Sequence, residues 1–163
     1  MSEPARNLYP AEIPASGQVQ PHNLDAEASL LGAMLLTTEA IVDATEVLEA
    51  GHFYQPIHQQ IFDAIVATSN AGGPVDSITV AATLESRGVL KHIGGTARLI
   101  ALQANTPVAT NAADYAAIVL KHALMRGLVA TGHEIVALGQ SRPENAQKAL
   151  DEAESKVFSL AQR

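Results

Sequence analysis

The chain has 163 residues, which is enough for one core with an appendage, and its composition narrows the fold class. Hydrophobic residues make up 47% but aromatic residues only 4%, so the core must be built from Ala, Leu, Ile and Val, which favours helices. The absence of cysteine excludes disulfides, thiolate zinc sites and cysteine nucleophiles. Seventeen acidic and ten scattered basic residues give a net charge of -7, which argues against a surface that grips nucleic acid by itself.

Residues 1–20 contain Pro4, Pro10 and Pro14 and show no sustained periodicity. This pattern predicts a flexible N-terminal tail. The tail has no apolar signal region, and the chain has no apolar run near the ~18 residues of a membrane span. We therefore expect a cytoplasmic protein.

A helical head of about five or six short helices is predicted over residues 21–108. In NLDAEASLLGAMLL the first residue, Asn23, can cap a helix, and a second helix begins near Thr37 or Thr38. In FYQPIHQQIFDAIVATSNAGG, Pro56 suits the first turn of a third helix.

Two more helices complete the predicted head. The fourth lies in DSITVAATLESRG and has three candidate caps, which are Asp76, Ser77 and Thr79. The fifth lies between Gly95 and Pro107. A brief strand through Val75, Ile78 and Val80 is the alternative to the start of the fourth helix, but no partner strand is evident.

A long antiparallel helical hairpin is predicted over residues 109–163. Its first helix carries two apolar stripes and ends near Gly139, and a capping box of Ser141 and Glu144 opens the second. The second helix carries a heptad seam of Ala146, Leu150, Ala153, Val157 and Leu160. One stripe packs on the second helix and the other is left for a partner. The candidates for hairpin or dimer packing are Tyr115, Leu120, Leu124, Leu128, Leu150, Val157 and Leu160.

Motifs that carry chemistry are incomplete in this chain. GHE at 132–134 begins like a zinc-protease helix, but Ala137 stands where the second His is required. GQSRP has Pro143 where a nucleophile elbow needs Gly, and GGTAR lacks the Gly-Lys-Ser/Thr ending of a Walker loop. His52 and His58 are interpreted as packing or surface residues. The sequence therefore predicts no catalytic, cofactor-binding or metal-binding residue.

Six segments after the tail carry a family resemblance. They are PHNLDAEASLLGAML at 21–35, FYQPIHQQIF at 53–62, SITVAATLESRG at 77–88, IGGTARL at 93–99, NTPVATNAADYAAIV at 105–119 and DEAESKVFSLAQ at 151–162. In this order and at these spacings they resemble the N-terminal domain of a DnaB-type bacterial replicative DNA helicase.

The resemblance implies an all-α domain whose hairpin joins protomers pairwise, so that six domains form a collar as a trimer of dimers. It also implies docking of the primase C-terminal domain, with Arg98, Val129 and Ile135 facing that partner by position. The family usually has an aromatic residue at the place of Arg98.

The resemblance further implies that this chain is not itself an enzyme. The parent protein would be an ATP-dependent 5'-3' DNA helicase, and ATP and Mg would bind to a RecA-like domain that is absent here. The chain would act at bacterial replication forks, associated with the nucleoid, and would bind DNA weakly or not at all.

Two alternatives come from other classes of protein. One is the helicase-interacting C-terminal domain of a primase, which has a similar head and hairpin but lacks the AEASLLGAML and FYxxxHxxIF features. The other is a free-standing helical adaptor or loader-like protein. The reading frame after Arg163 distinguishes an adaptor from a helicase, because only the helicase continues into a Walker motif.

Overall fold

The computed structural model describes residues 7–12 and 18–162, and seven α-helices lie in this part of the chain. They are α1 (Leu24–Leu36), α2 (Thr38–Val47), α3 (Pro56–Asn70), α4 (Ser77–Ser86), α5 (Gly95–Ala104), α6 (Ala112–Gln140) and α7 (Ala146–Ala161). The described residues contain no strand, which confirms the all-helical prediction and rules out the alternative strand at Ile78 and Val80. No helix among them has both the length and the apolar character needed to cross a bilayer.

The head helices begin at the residues that the sequence predicts. The Asn23 side chain accepts the backbone N–H of Ala26 at 2.9 Å and caps α1. Thr37 caps α2 and Asp76 caps α4 in the same way, and Pro56 occupies the first turn of α3. These caps satisfy backbone donors that have no partner inside a helix.

The predicted capping box of Ser141 and Glu144 is wrong. Asn145 caps α7 instead, and its side chain accepts the N–H of Lys148 at 3.0 Å. The Ser141 hydroxyl donates to the carbonyl of Leu138 at 2.7 Å. Ser141 is therefore still bonded to the last turn of α6, and the second helix of the hairpin begins later than the sequence predicts.

The chain divides into two compact units. The head consists of residues 22–121, and the hairpin unit consists of the described residues within 1–21 and 122–163. The division falls inside α6 because the first turns of this helix bury small side chains in the core of the head. These side chains belong to Ala112, Ala116 and Val119.

The head is built around α1, which contacts α2, α3 and α5. Its buried apolar side chains include Leu30, Leu31, Met34 and Leu35. Gly32 allows α5 to come close, because a Cβ at this position would collide with the Thr106 hydroxyl and the Leu102 carbonyl. The absence of a side chain at Gly32 therefore sets the distance between α1 and α5.

In the hairpin unit α6 and α7 run antiparallel, as the sequence predicts. Leu160 lies against Gly127, and further along α6 the ammonium of Lys156 lies 3.3 Å from the Glu134 carboxylate. Moving from Gly127 to Glu134 along α6 thus corresponds to moving backwards along α7 from Leu160 to Lys156, as antiparallel helices require.

Only part of the predicted heptad seam, Ala153 and Leu160, lies on the inner face of α7. Leu150 and Val157 are 64% and 46% exposed. The half-buried and buried residues of α7 are Ala149, Ala153, Lys156 and Leu160, which follow one another at spacings of four, three and four. Lys156 and Leu160 contact α6, so this row faces α6, and it shares Ala153 and Leu160 with the predicted seam.

The N-terminal segment belongs to the hairpin unit. Of the predicted flexible tail, residues 1–6 and 13–17 lie outside the described residues. Among the described ones, Tyr9 is only 3% exposed and packs with Ala123 and Leu160. This part of the tail is therefore packed, because Tyr9 supplies an aromatic ring that the hairpin buries.

Candidate docking and assembly surfaces

The hairpin unit presents large apolar side chains to solvent on both of its helices. They are Met125, Leu128 and Val136 on α6 and Leu150, Val157 and Phe158 on α7. Leu128 is 58% exposed and Phe158 is 63% exposed. Apolar surface of this kind marks a site of association when it is contiguous.

On α6, Met125 and Val136 lie on the face that points away from α7, whereas Leu128 follows Gly127 directly and lies roughly a quarter of a turn from the α7 contact. The contacts with α7 are made at Gly127 and Glu134, which are seven positions apart and share one face. Met125 and Val136 belong to a predicted stripe about half a turn away from that face. One stripe of α6 is thus left uncovered within the hairpin unit.

The predicted packing residues fall into three groups. Tyr115 and Leu120 pack on the core of the head. Leu124 and Leu160 pack in the small core of the hairpin unit. Leu128, Leu150 and Val157 are exposed.

The predicted docking residues lie in both units. Arg98 is exposed on α5 of the head. Val129 and Ile135 are half-buried on α6 in the hairpin unit. They are six positions apart, which corresponds to roughly 9 Å along a helix axis.

Arg98 borders a cleft of about 510 Å³ between α1 and α5. Asp25 lines it from α1 and supplies the opposite charge, and Ala28 and Leu102 contribute apolar surface. The other lining residues are Ser29, Ala101, Asn105 and Pro107. The sequence analysis missed Asp25 and Ser29 as site residues, although their spacing of four places them on one face of α1.

A buried carboxylate joins α1 to the segment before α3. Glu27 and His58 are 1% and 5% exposed, and the Nδ1–H of His58 donates to the Glu27 carboxylate at 2.9 Å. The backbone N–H groups of Tyr54 and Gln55 donate to the same carboxylate, at 2.8 and 3.3 Å. The sequence indicated that His58 is a packing or surface residue but did not indicate that it bonds to Glu27. The sequence signal for this bond was Glu27 itself, because it is an acidic residue among the otherwise apolar buried residues of α1.

The second histidine of this region has a local role. The Nδ1 atom of His52 accepts the backbone N–H of Glu49 at 2.8 Å. Its ring is buried beside Phe53, at the start of the segment that Glu27 holds. Within the described part of the chain, no three His, Cys, Asp or Glu side chains are placed to hold a metal ion together.

A family model of the DnaB-like helicase N-terminal domain matches residues 19–121. The chain belongs to this family. The replicative DNA helicase DnaB of Mycobacterium leprae is 43% identical over 148 residues, which cover 90% of this chain and 24% of that protein. DnaB of Geobacillus stearothermophilus is 36% identical over 148 residues, which cover 91% of this chain and 33% of that protein.

Solved structures of DnaB helicases have the same fold. The N-terminal domain of DnaB from Mycobacterium tuberculosis superposes with a TM-score of 0.82 at 41% identity, over 86% of this chain and 99% of that one. A DnaB-like replicative helicase, reported with its interactions with primase, gives a TM-score of 0.71 at 23% identity over 85% of this chain and 31% of that one. The chain spans about a quarter to a third of the curated DnaB proteins that it matches.

These matches identify the chain as a DnaB-type helicase N-terminal domain. They favour this assignment over the primase domain and the free-standing adaptor.

Proposed function

We propose that this DnaB N-terminal domain is the non-catalytic assembly and docking domain of a bacterial replicative helicase. In this proposal the hairpins pair two chains, three pairs form a collar, and the primase C-terminal domain binds to its surface. ATP and Mg bind elsewhere in the parent helicase, which acts in the cytoplasm at replication forks. The observation that supports assembly best is the set of large apolar side chains that both helices of the hairpin unit expose.

A second copy of the chain is the partner that these exposed side chains fit. Leu128 and Met125 on α6 and Leu150 and Phe158 on α7 are exposed large side chains of one small unit. Burying such a side chain from full exposure is worth about 1.5–3 kcal/mol, and since each of these is 45–64% exposed, each would contribute roughly half of that before the cost of association. A two-fold axis pairs such a surface with itself and produces a closed dimer.

Light scattering across a concentration series tests the pairing. Leu128→Glu should shift the dimer midpoint to higher concentration by at least about tenfold, because the carboxylate would be buried unpaired in the interface. Ile78→Glu is the matched control, since Ile78 is 66% exposed on α4 of the head. A wild-type chain that stays monomeric at high micromolar concentration would contradict the pairing.

The docking part of the proposal is supported by the cleft beside Arg98. Opposite charges at Arg98 and Asp25 and an apolar floor at Ala28 and Leu102 suit a partner that presents both apolar and polar groups. The solved helicase of the same fold was reported with its interactions with primase. We therefore take primase as the partner of this surface.

Activity assays test the non-catalytic role. The isolated chain should neither hydrolyse ATP nor unwind DNA. At physiological salt it should bind labelled single strands no more tightly than about micromolar, because phosphate contacts dominate such binding and the net charge is -7. DNA-stimulated ATP turnover that a point change in this chain abolishes would overturn the proposal.

A further inference from the structure

An arginine is completely buried in the hairpin unit. Arg126 lies on α6 and is 0% exposed. Its Nε donates to the carbonyl of Tyr9 at 3.3 Å, and a terminal nitrogen donates to the carbonyl of Pro21 at 2.9 Å. A guanidinium can only donate, and burying it without acceptors is costly. The N-terminal segment thus supplies backbone acceptors to a charge on α6.

The same segment fills an apolar groove between α6 and α7. The ring of Tyr9 packs with Ala123 and Leu160, which are the other buried apolar side chains among the described residues of this unit. A Cβ on Gly127 would lie 2.6 Å from Leu160, 2.9 Å from the Tyr9 ring and 3.0 Å from the carbonyl oxygen of Leu8. Gly127 therefore leaves room for α7 and for the segment together.

We propose that this groove is a binding site for a short, non-helical segment that carries an aromatic ring, and that residues 7–12 occupy it to fasten α7 to α6. The groove takes the ring beside Gly127, and Arg126 donates to the backbone carbonyls of Tyr9 and Pro21. Further along the two helices, the Lys156–Glu134 ion pair is partly exposed, with side chains that are 23% and 32% exposed. Among the described residues of this unit, Tyr9 is the largest buried apolar side chain.

The proposal extends beyond the family match, because the family model begins at residue 19 and ends at residue 121. It requires only one chain. Its consequence for assembly, a weaker dimer when α7 is loosened, rests on the proposed function.

Amide hydrogen exchange on the full chain tests the groove. Tyr9→Ala should lower protection in residues 123–131 and 153–161 by more than about tenfold. Without the ring, local opening of these helices no longer has to break the contacts of Tyr9 with Ala123 and Leu160 and therefore costs less free energy. Tyr9→Phe should retain protection, since the ring stays and the bond to Arg126 uses the backbone carbonyl. Exchange in α1 and α3 should not change, because these helices belong to the other compact unit.

A truncated chain provides the second arm. Deleting residues 1–12 should cause the same local loss, whereas deleting residues 1–6 should not. A synthetic peptide of residues 7–21 should restore protection in the longer deletion with saturable dose dependence, and the Tyr9→Ala peptide should be at least about tenfold weaker.

Three results would overturn the proposal. They are unchanged protection in Tyr9→Ala, a loss that is equal in the head and the hairpin unit, and equal rescue by the two peptides. Light scattering on the same samples records the oligomeric state, so a failure of the dimer proposal would be visible separately from a failure of the groove.

Discussion

The carboxylate of Glu27 and the imidazole Nδ1 of His58 lie 2.9 Å apart, and both side chains are buried. The backbone N–H groups of Tyr54 and Gln55 donate to the same carboxylate. One residue of α1 therefore holds both the segment just before α3 and the first turn of α3. Three donors converge on a group that only accepts. These groups form a polar cluster within a core that is built mainly from apolar side chains.

Glu27→Ala should lower the free energy of unfolding by about 3 kcal/mol or more, because it leaves a buried imidazole and two backbone donors without this acceptor. Glu27→Gln should cost less, since the amide keeps one acceptor oxygen. Glu46→Ala on the exposed face of α2 is the control and should change little. Urea unfolding at constant m-value measures all three variants. A cost for Glu27→Ala no larger than that of the control would show that the network does not stabilise the head.

Gly32→Ala should destabilise the head by about 1–3 kcal/mol, because its Cβ would meet the Thr106 hydroxyl and the Leu102 carbonyl and force α1 away from α5. Gly132→Ala is the matched change, since no atom lies within 4 Å of a Cβ there. It should stabilise α6 by about 0.5–1 kcal/mol through helix propensity. Opposite shifts in thermal midpoint are expected, and shifts of the same sign would contradict the packing described for Gly32.

Local chemistry explains why the head could be predicted from the sequence. The caps at Asn23 and Asp76 act on backbone groups only a few residues away, so their pattern is complete within each segment. The same holds for Pro56 at the start of α3. The Glu27–His58 pair was not predicted because its members are 31 positions apart.

The hairpin shows where sequence patterns fail. Leu150 and Val157 have the stronger apolar pattern, but α7 turns Ala153 and Leu160 inward because α6 offers a shallow surface at Gly127. Tyr9 also packs on that surface, although it lies 117 positions before Arg126 in the sequence. The spacing of apolar residues on one helix carries no information about a segment so distant in sequence.

Because Asp76 caps α4, the stability of this helix should depend on pH in the acid range. The backbone N–H of Thr79, and further that of Ile78, lower the pKa of the Asp76 carboxyl from its usual value of 3.8. The folded state therefore favours the ionised form, and the stability that it contributes is present above pH 3.8 and is lost as the pH falls through the lower folded pKa. Asp76→Asn keeps a capping oxygen but cannot titrate.

Denaturant unfolding from neutral pH into acid should therefore show that wild type and Asp76→Asn differ least at the lowest pH. The wild type should lose stability more steeply as the carboxyl becomes protonated. Parallel pH profiles for the two proteins would mean that the cap contributes no pH dependence.

The proposed docking of primase on the head can be tested at Arg98, which lines the cleft between α1 and α5. Arg98→Glu places a second negative charge in the cleft opposite Asp25, and should weaken capture of a primase C-terminal domain by at least about tenfold. Arg87→Glu makes the same change at another exposed site of the head and should leave capture unchanged. Val129→Glu should also reduce capture if the hairpin unit contributes to the surface. Binding measured by calorimetry on folded, matched samples decides between them, and undiminished binding by both Arg98→Glu and Val129→Glu would refute docking at these residues.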